Sequence, residues 1–202
     1  MQRKKLFTEI PYIEGERLTI KEITQADAPA LQEMVDSEAV YRLEPSFLFE
    51  KKYDDVHYVI DHLYDEAFKE SIIMGIYLKD LVCEDDRPSG AGQPEEDGQS
   101  GGDGQFCGLA EFYGYRDDIH KVSIGIRLME RYWGMGIGAE TLNMLVDYLY
   151  NETDIEIIAA SSLPDNHGSA GILRKCGFDL VVHNGLEDWG FGEPQLTDKW
   201  IK

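Results

Sequence analysis

A glycine-rich loop constrains the fold of this chain more than any other feature. Residues 131–139 have the sequence RYWGMGIGA. Residues 121–129, just before it, alternate as a strand does, and residues 138–150 repeat apolar residues at helical spacing. A loop in this position exposes backbone N–H groups beside the partially positive N-terminus of a helix. The sequence therefore indicates an anion site suited to a phosphate or diphosphate, and the alternative is a plain turn that holds the helix against the sheet.

The rest of the chain predicts a mixed α/β (α+β) fold. Alternation or a high content of β-forming residues predicts six further strands, over residues 17–23, 72–82, 106–115, 155–160, 178–182 and 196–201. Three further helices are predicted: one that opens at a capping box from Thr24 to Asp27, one over residues 53–69, and one that Asp165 or Asn166 caps and Gly177 ends. The predicted order is β-α-α-β-β-β-α-β-α-β-β, with helices flanking a mixed sheet that is largely antiparallel before the glycine loop. The length favours a single domain over residues 1–202.

Residues 84–105 differ in composition from both flanking segments. These 22 residues contain six glycines, two prolines, seven acids and one arginine. Such a segment cannot offset its ordering entropy by burying apolar surface. We therefore expect a mobile acidic loop between two strands. The alternatives are a domain boundary and an acidic arm that contacts a basic substrate.

The formal net charge of −20 limits the partners of the protein. Because contact with a phosphate backbone needs a basic face, we expect no nucleic acid partner. The charge favours a cationic partner through electrostatic steering, unless it serves solubility alone.

Composition also predicts the compartment. No apolar run approaches the roughly 20 residues of a membrane helix, so we expect no membrane association. The opening residues, MQRKKLFTEIPY, lack the apolar segment of a signal peptide. The three cysteines have no zinc-like spacing, and the five histidines form no metal constellation. These features predict a cytoplasmic protein that uses no metal.

Three phosphate-bearing ligands compete for the glycine loop. A P-loop requires Gly-Lys-Ser/Thr, and Gly138 is instead followed by Ala139. The dinucleotide fingerprint is formally matched by Gly134, Gly136 and Ala139, with Glu156 about 20 residues further on. That fingerprint normally follows its strand directly, however, and here five residues intervene. Coenzyme A is the third ligand.

Two motifs resemble those of the GNAT N-acetyltransferase superfamily. Arg131-x-x-Gly134-x-Gly136 matches its Q/R-x-x-G-x-G/A signature, again between a strand and a helix. About 30 residues on, the segment from Asn166 to Phe178 resembles the family's N-x-x-S-x-x-x-x-x-K-x-G-F helix. The resemblance covers roughly residues 15–202. Within the superfamily, residues 133–141 look like the branch that contains ribosomal-protein N-terminal acetyltransferases and spermidine acetyltransferase.

The resemblance implies that acetyl-CoA is the cosubstrate, and it assigns contacts by position. Backbone N–H groups of residues 135–139 would hold the diphosphate, and the backbone of residues 127–129 would pair with the pantetheine arm like an added strand. Because a polyanion is repelled by a protein of charge −20, nearby cations must offset this repulsion. Arg131, Arg174 or Lys175 would meet the cofactor phosphates, and the alternative for Arg174 and Lys175 is a solvated helix face. The implied cofactor-binding residues are Arg127, Leu128, Met129, Arg131, Gly134, Met135, Gly136, Ile137, Gly138, Ala139, Asn166, Ser169 and Lys175.

The resemblance also implies a reaction, direct attack of an amine on the thioester. An alkyl amine with a pKa of about 10.4 is protonated at neutral pH, so a base must remove its proton. Glu111, in the strand beside the cofactor strand, is the first candidate, and the alternative is a solvent-facing carboxylate. His120 and Glu130 are weaker candidates. Leu173 occupies the position where many family members place a tyrosine as general acid.

The acceptor stays open at this stage. A polyamine, a protein N-terminal amine and another small primary amine all fit the resemblance, which also suggests a homodimer. The alternative function is a non-catalytic coenzyme A sensor or interaction module. Leu173 favours that alternative, while the glycine loop fits both.

Overall fold

An eight-stranded sheet organises the computed structural model, which describes residues 5–6, 8–43, 53–68, 70–79, 104–188 and 193–202. The order across the sheet is β1-β2-β3-β4-β5-β6-β8-β7. All predicted strands are present; β1 was not predicted because two residues are too few to show alternation. The strands are β1 (Ile13–Glu14), β2 (Leu18–Lys21), β3 (Ser71–Leu78), β4 (Gln105–Arg116), β5 (Lys121–Leu128), β6 (Ile157–Ser162), β7 (Asp179–Glu187) and β8 (Gln195–Ile201).

The sheet opens between β5 and β6. The strands from β1 to β5 pair antiparallel, as the sequence predicts, whereas β5 and β6 are parallel. Their pairing ends at Ser123 and Ala159, although β5 continues to Leu128 and β6 to Ser162. Beyond this point the two strands have no ladder between them, and the edge of β5 is left available to another extended chain.

Six α-helical segments accompany the sheet in the described ranges. Residues 53–69 were predicted as one helix, and residues 56–67 are helical with a π-helical turn (Val59–Leu63) in the middle. The short α2 was not predicted, because six residues show no clear helical period. The capping box is confirmed, since the Thr24 backbone N–H donates to Oδ2 of Asp27 at 2.8 Å. The helices are α1 (Ala28–Asp36), α2 (Glu38–Leu43), α3 (Val56–Tyr58), α4 (Tyr64–Ala67), α5 (Ile137–Glu152) and α6 (His167–Lys175).

The helices lie on both faces of the sheet. The Phe112 ring of β4 stacks on Tyr148 of α5, with centroids 6.3 Å apart. On the neighbouring strand, Nη1 of Arg127 donates to the hydroxyl of Tyr41 in α2 at 3.1 Å. Because side chains alternate along a strand, residues of β4 and β5 divide between a face covered by α5 and a face covered by α2. Fully burying each leucine of the α5 stripe contributes roughly 1.5–3 kcal/mol to the core.

The acidic segment lies largely outside the described residues. Of residues 84–105, only Gly104 and Gln105 are described, and Gln105 is the first residue of β4. The predicted loop was therefore wrong at its last residue, because pairing of Gln105 with Leu78 extends the strand past the point where apolar residues begin. Residues 80–82 of the strand predicted over residues 72–82 are likewise outside the described ranges. Among the described helices, none combines the length and apolar character that crossing a membrane requires.

Candidate functional site

The glycine loop turns sharply into α5. Gly134 and Gly136 have φ angles of +75° and +81°, in the left-handed region that favours glycine. A Cβ atom at Gly134 would meet no atom within 4 Å, and at Gly136 the nearest would be Nη2 of Arg17 at 3.7 Å. The space in front of the loop is therefore open. The first N–H groups of α5 have no partner within the helix and lie at this opening.

Gly138 has a different reason to be glycine. A Cβ atom here would lie 2.9 Å from Cδ1 of Ile172 in α6 and 3.5 Å from Cδ1 of Leu128 in β5. The absent side chain allows α5 to approach both elements closely. This packing fixes the loop relative to α6, which carries the second sequence motif.

A cleft of about 1090 Å³ occupies the opening between β5 and β6. It joins the glycine loop to the face of the sheet that α2 covers, and α6 forms another wall. Most residues singled out from the sequence line it: Glu111, Arg127, Leu128, Gly134, Gly136, Ile137, Gly138, Ala139, Asn166, Ser169 and Lys175.

Three of the predicted cofactor residues do not line the cleft. The Met129 side chain is buried in the core, and Met135 is exposed outside the cleft. The guanidinium of Arg131 pairs with Glu33 of α1 and lies 5.0 Å from the centre of the Tyr132 ring. Arg131 thus ties the loop to α1, and its contact with a cofactor stays a prediction. Arg174 stacks over Trp200 at 5.0 Å.

The second motif begins with a helix cap. Oδ1 of Asn166 accepts a hydrogen bond from the backbone N–H of Ser169 at 3.0 Å. Of the two candidate caps that the sequence offers, Asp165 and Asn166, the N-cap of α6 is therefore Asn166. The helix stops before Gly177, whose φ of +78° is left-handed. Asn166 is buried and lines the cleft, so the cap also shapes the wall of the site.

Replacing Asn166 by alanine is expected to lower the free energy of unfolding by about 1 kcal/mol, because α6 loses its cap. Asn166→Asp is the matched control, since a carboxylate oxygen also accepts from the Ser169 N–H. Chemical denaturation of both variants measures the difference. Equal stability of the two variants would contradict the capping role.

Glu111 lies at the other end of the cleft. It pairs with Ile73 on β3 and Gly125 on β5, and its residue surface is only 9% exposed. The alternative of a solvent-facing carboxylate is therefore wrong. Strand alternation places Tyr113 and Arg127 on the same face as Glu111, and all three line the cleft. His120 and Glu130, the weaker candidate bases, are not among the lining residues.

Sequence reasoning missed several residues that line the cleft. Val40, Arg42 and Leu43 come from the unpredicted α2, and Glu187 and Asp188 come from the end of β7. No local motif marks them, because they reach the cleft only through the tertiary arrangement of α2 and β7. Glu187 forms an ion pair with Lys199.

The described cysteines are poor nucleophiles. Burial raises the pKa of the Cys107 thiol to about 12, and its Sγ donates to the Ile76 carbonyl oxygen at 3.2 Å. Burial also raises the pKa of Cys176. Both thiols stay protonated at neutral pH, when the nucleophilic species is the thiolate.

The glycine loop at the N-terminus of α5 opens into a cleft through a splayed sheet, and the family model that matches this chain is that of an acetyltransferase. The chain belongs to the GNAT acetyltransferase domain family, whose model matches residues 17–179, more than half of the sequence. No curated protein matches the chain by sequence.

Solved structures share the fold at low sequence identity. A GNAT-family acetyltransferase from Bacillus anthracis superposes with a TM-score of 0.69 at 17% identity, covering 95% of this chain and 98% of the other. The spermidine N-acetyltransferase from Vibrio cholerae, in complex with CoA and spermine, gives 0.66 at 14% identity over 93% and 96% of the chains. An acetyltransferase from Salmonella typhimurium that modifies the N-terminal serine of ribosomal protein L7/L12 gives 0.70 at 14% identity over 95% and 98%.

Proposed function

We propose that the protein transfers the acetyl group of acetyl-CoA to a primary amine by direct attack of the amine on the thioester. The observation that carries this proposal is the single cleft that joins the glycine loop to the buried carboxyl group of Glu111. One end offers backbone donors for phosphates, and the other offers a base for an ammonium group. The loop alone would suit many phosphate ligands, but the base at the far end suits a group transfer.

The residues around the loop fit the phosphates of acetyl-CoA. Left-handed Gly134 and Gly136 leave open space in front of the backbone N–H groups. Lys175 adds a cation from α6, and the Asn166 side chain adds polar atoms between the loop and the opening. The edge of β5 beyond Ser123, which has no ladder with β6, suits the amide groups of the pantetheine arm.

Acetyl-CoA would supply an activated acetyl thioester, and the protein has to supply deprotonation. Glu111 accepts the proton of the ammonium group, directly or through one water, which leaves a neutral amine as nucleophile. Apolar residues of the cleft lining such as Ile124 and Leu128 limit the water in the cleft. The departing thiolate needs little help, because a thiol pKa of about 8.5 makes it a moderate leaving group.

Direct attack is supported over a covalent acetyl-cysteine route. Cys107 and Cys176 are buried with raised pKa values, and neither lines the cleft. Neither thiol of the described residues is therefore placed or ionised for transfer.

On the acceptor side, the part of the cleft lined by Glu111, α2 and the end of β7, three carboxylates beside the cations Arg42 and Arg127 support a cationic amine. Glu111, Glu187 and Asp188 line the cleft together with Tyr113, whose ring can contact an ammonium group. Two structural relatives act on such groups by their names, one on spermidine and one on the N-terminal serine of a ribosomal protein. We therefore propose a polyamine or a protein N-terminus as the acceptor class.

A coenzyme A-binding module without transfer activity is the second candidate. Leu173 favours it, because this buried apolar side chain lines the cleft at the position of the usual general acid. The moderate leaving-group ability of the thiolate favours transfer. A measurement of activity decides between the transferase and the binding module.

An assay of free thiol released from acetyl-CoA tests the proposal. We expect acetyl-CoA turnover that depends on added spermidine or on a peptide with a free N-terminal serine, and no turnover with the N-acetylated form of the same peptide. Mass spectrometry of the acceptor checks the acetyl transfer. Binding of coenzyme A without turnover of any primary amine would refute transfer and favour the binding module.

A further inference from the structure

Arg17 lies against the glycine loop, although 123 positions separate it from its partner Glu140 in the sequence. Its Nε and Nη2 atoms donate to Oε2 of Glu140 at 2.8 and 2.5 Å. Nη2 also lies 3.7 Å from the position that a Cβ atom would take at Gly136. The guanidinium is therefore beside both parts of the anion site, the left-handed glycine and the first turn of α5.

The backbone fixes Arg17 in this place. Its carbonyl oxygen accepts from the backbone N–H of Lys79 at 2.8 Å, just past the ladder between β2 and β3. The side chain keeps 37% of its surface exposed. Both of its hydrogen bonds go to one carboxylate oxygen, and Nη1 has no hydrogen-bond partner in the described part of the chain. The guanidinium is held in position and retains N–H donors.

Glu140 alone would weaken anion binding. A carboxylate in the first turn stabilises a helix through the helix dipole. The same charge repels a phosphate bound at that N-terminus. Arg17 offsets this charge where it lies, and although it does not line the cleft, its position beside Gly136 brings a cation to the glycine loop.

The other cations near the site have different placements. Arg131 pairs with Glu33, and Arg174 stacks over Trp200. Lys175 lines the cleft from α6. A protein with a net charge of −20 needs local cations to hold a polyanionic ligand. Arg17 therefore adds a cation at the glycine loop to the one that Lys175 supplies from α6.

We propose that Arg17 is a phosphate-binding residue of the coenzyme A site and that Glu140 holds it there. The contact is charge-assisted, from guanidinium N–H groups to phosphate oxygens, and it recognises the diphosphate or the 3′-phosphate but not the pantetheine arm. This inference rests on the proposed function, because it requires coenzyme A in the cleft.

Isothermal titration of Arg17→Ala with three ligands tests the proposal. We expect coenzyme A to bind about 10- to 100-fold more weakly than to wild type, the usual effect of losing a hydrogen bond to a charged group. Pantetheine, which has no phosphate, is expected to bind both proteins equally. Dephospho-coenzyme A, which lacks the 3′-phosphate, shows which phosphate Arg17 contacts. If Arg17→Ala loses as much affinity for it as for coenzyme A, the contact is with the diphosphate; if it loses none, the contact is with the 3′-phosphate.

Arg116→Ala is the matched control. Arg116 donates to both oxygens of Asp118 at 2.9 and 2.7 Å. In the β4–β5 ladder it lies opposite Lys121 at the start of β5, the end of that strand remote from the glycine loop. This variant removes the same charge and the same kind of ion pair, and we expect unchanged coenzyme A affinity. Arg17→Gln is a second test variant, because it keeps a donor for Glu140 and removes only the charge.

Two further variants separate direct contact of Arg17 with the phosphates from neutralisation of the Glu140 charge: Glu140→Gln and the double variant Arg17→Ala/Glu140→Gln. We expect Glu140→Gln to bind coenzyme A at least as tightly as wild type and the double variant to recover only part of the affinity that Arg17→Ala loses, because the repulsion by Glu140 is removed but the contact with Arg17 is still missing. Recovery of wild-type affinity in the double variant would show that Arg17 only neutralises Glu140, which overturns the proposal. Absence of coenzyme A binding by wild type refutes the proposed function instead, whereas wild-type binding with unchanged Arg17→Ala and Arg17→Gln refutes only the role of Arg17.

Discussion

Replacement of Glu111 by glutamine is expected to lower kcat for acetyl transfer by about 10²- to 10⁴-fold, the usual contribution of a general base. Glutamine keeps the size and the hydrogen-bonding capacity of the side chain and removes its basicity. Glu111 is buried and does not belong to the glycine loop, so the dissociation constant of coenzyme A should change little. Steady-state kinetics with a saturating amine, together with calorimetric titration of coenzyme A, measure both quantities.

The pH dependence sharpens this prediction. An alkyl amine becomes neutral as the pH approaches its pKa of about 10.4, so it then needs no base. The activity of Glu111→Gln should therefore rise with pH more steeply than that of wild type, and the gap between the two should narrow at alkaline pH. A constant ratio at all pH values would indicate that Glu111 has a structural role.

Glu130→Gln is the matched control for Glu111→Gln. Glu130 was also a candidate base from the sequence, but it is exposed in the turn after β5 and does not line the cleft. We expect wild-type kcat from this variant. A loss as large as that of Glu111→Gln would contradict the assignment of Glu111 as the general base.

Local patterns predicted the parts of the site that the chain builds from consecutive residues. The glycine loop, the strand before it and α5 form one segment, and Gly134 and Gly136 are required by their own backbone angles. The cap of α6 is similarly local, because Asn166 binds the N–H of Ser169 only three residues on. Such features depend on interactions within a few residues, so the sequence carries them directly.

The acceptor side depends on contacts between distant segments. Alternation predicted the β4 strand but left open which face Glu111 occupies, because both of its neighbours in sequence are apolar. Pairing with Gly125 on β5 and Ile73 on β3 decides this, and pairing partners are set by the whole sheet. The lining residues from α2 and β7 reach the cleft for the same reason.

Arg131 and Arg17 show that the position of a long cationic side chain depends on its acidic partner. From its motif position, Arg131 was expected at the cofactor phosphates, yet Glu33 of α1 holds its guanidinium. Arg17 carries no motif signal in the sequence, yet the turn into β2 brings it to Gly136. Long flexible side chains are placed by the opposite charges within reach, and those charges come from elements distant in sequence.

Gly136→Glu is expected to abolish the thermal stabilisation that acetyl-CoA gives wild type. A ligand at 100 times its dissociation constant stabilises the native state by about 2.7 kcal/mol, or roughly 5–10 °C for a chain of this size. In the variant, a side chain other than glycine is strained at a φ of +81°, and a carboxylate enters the space that the phosphates would use. Thermal-shift titration with acetyl-CoA, coenzyme A and NADH measures the effect.

Two matched variants separate backbone strain from charge in this experiment. Gly114→Glu introduces the same residue at a φ of +59°, on an exposed position that does not line the cleft, so it should lower the melting temperature without removing the shift. Gly136→Asn keeps a residue that tolerates left-handed angles and adds no charge, so it should retain part of the shift. Stabilisation of wild type by NADH but not by coenzyme A would instead favour the dinucleotide interpretation of Gly134 and Gly136. If no ligand shifts wild type at millimolar concentration, the glycine loop either serves another ligand or is required only for the turn into α5.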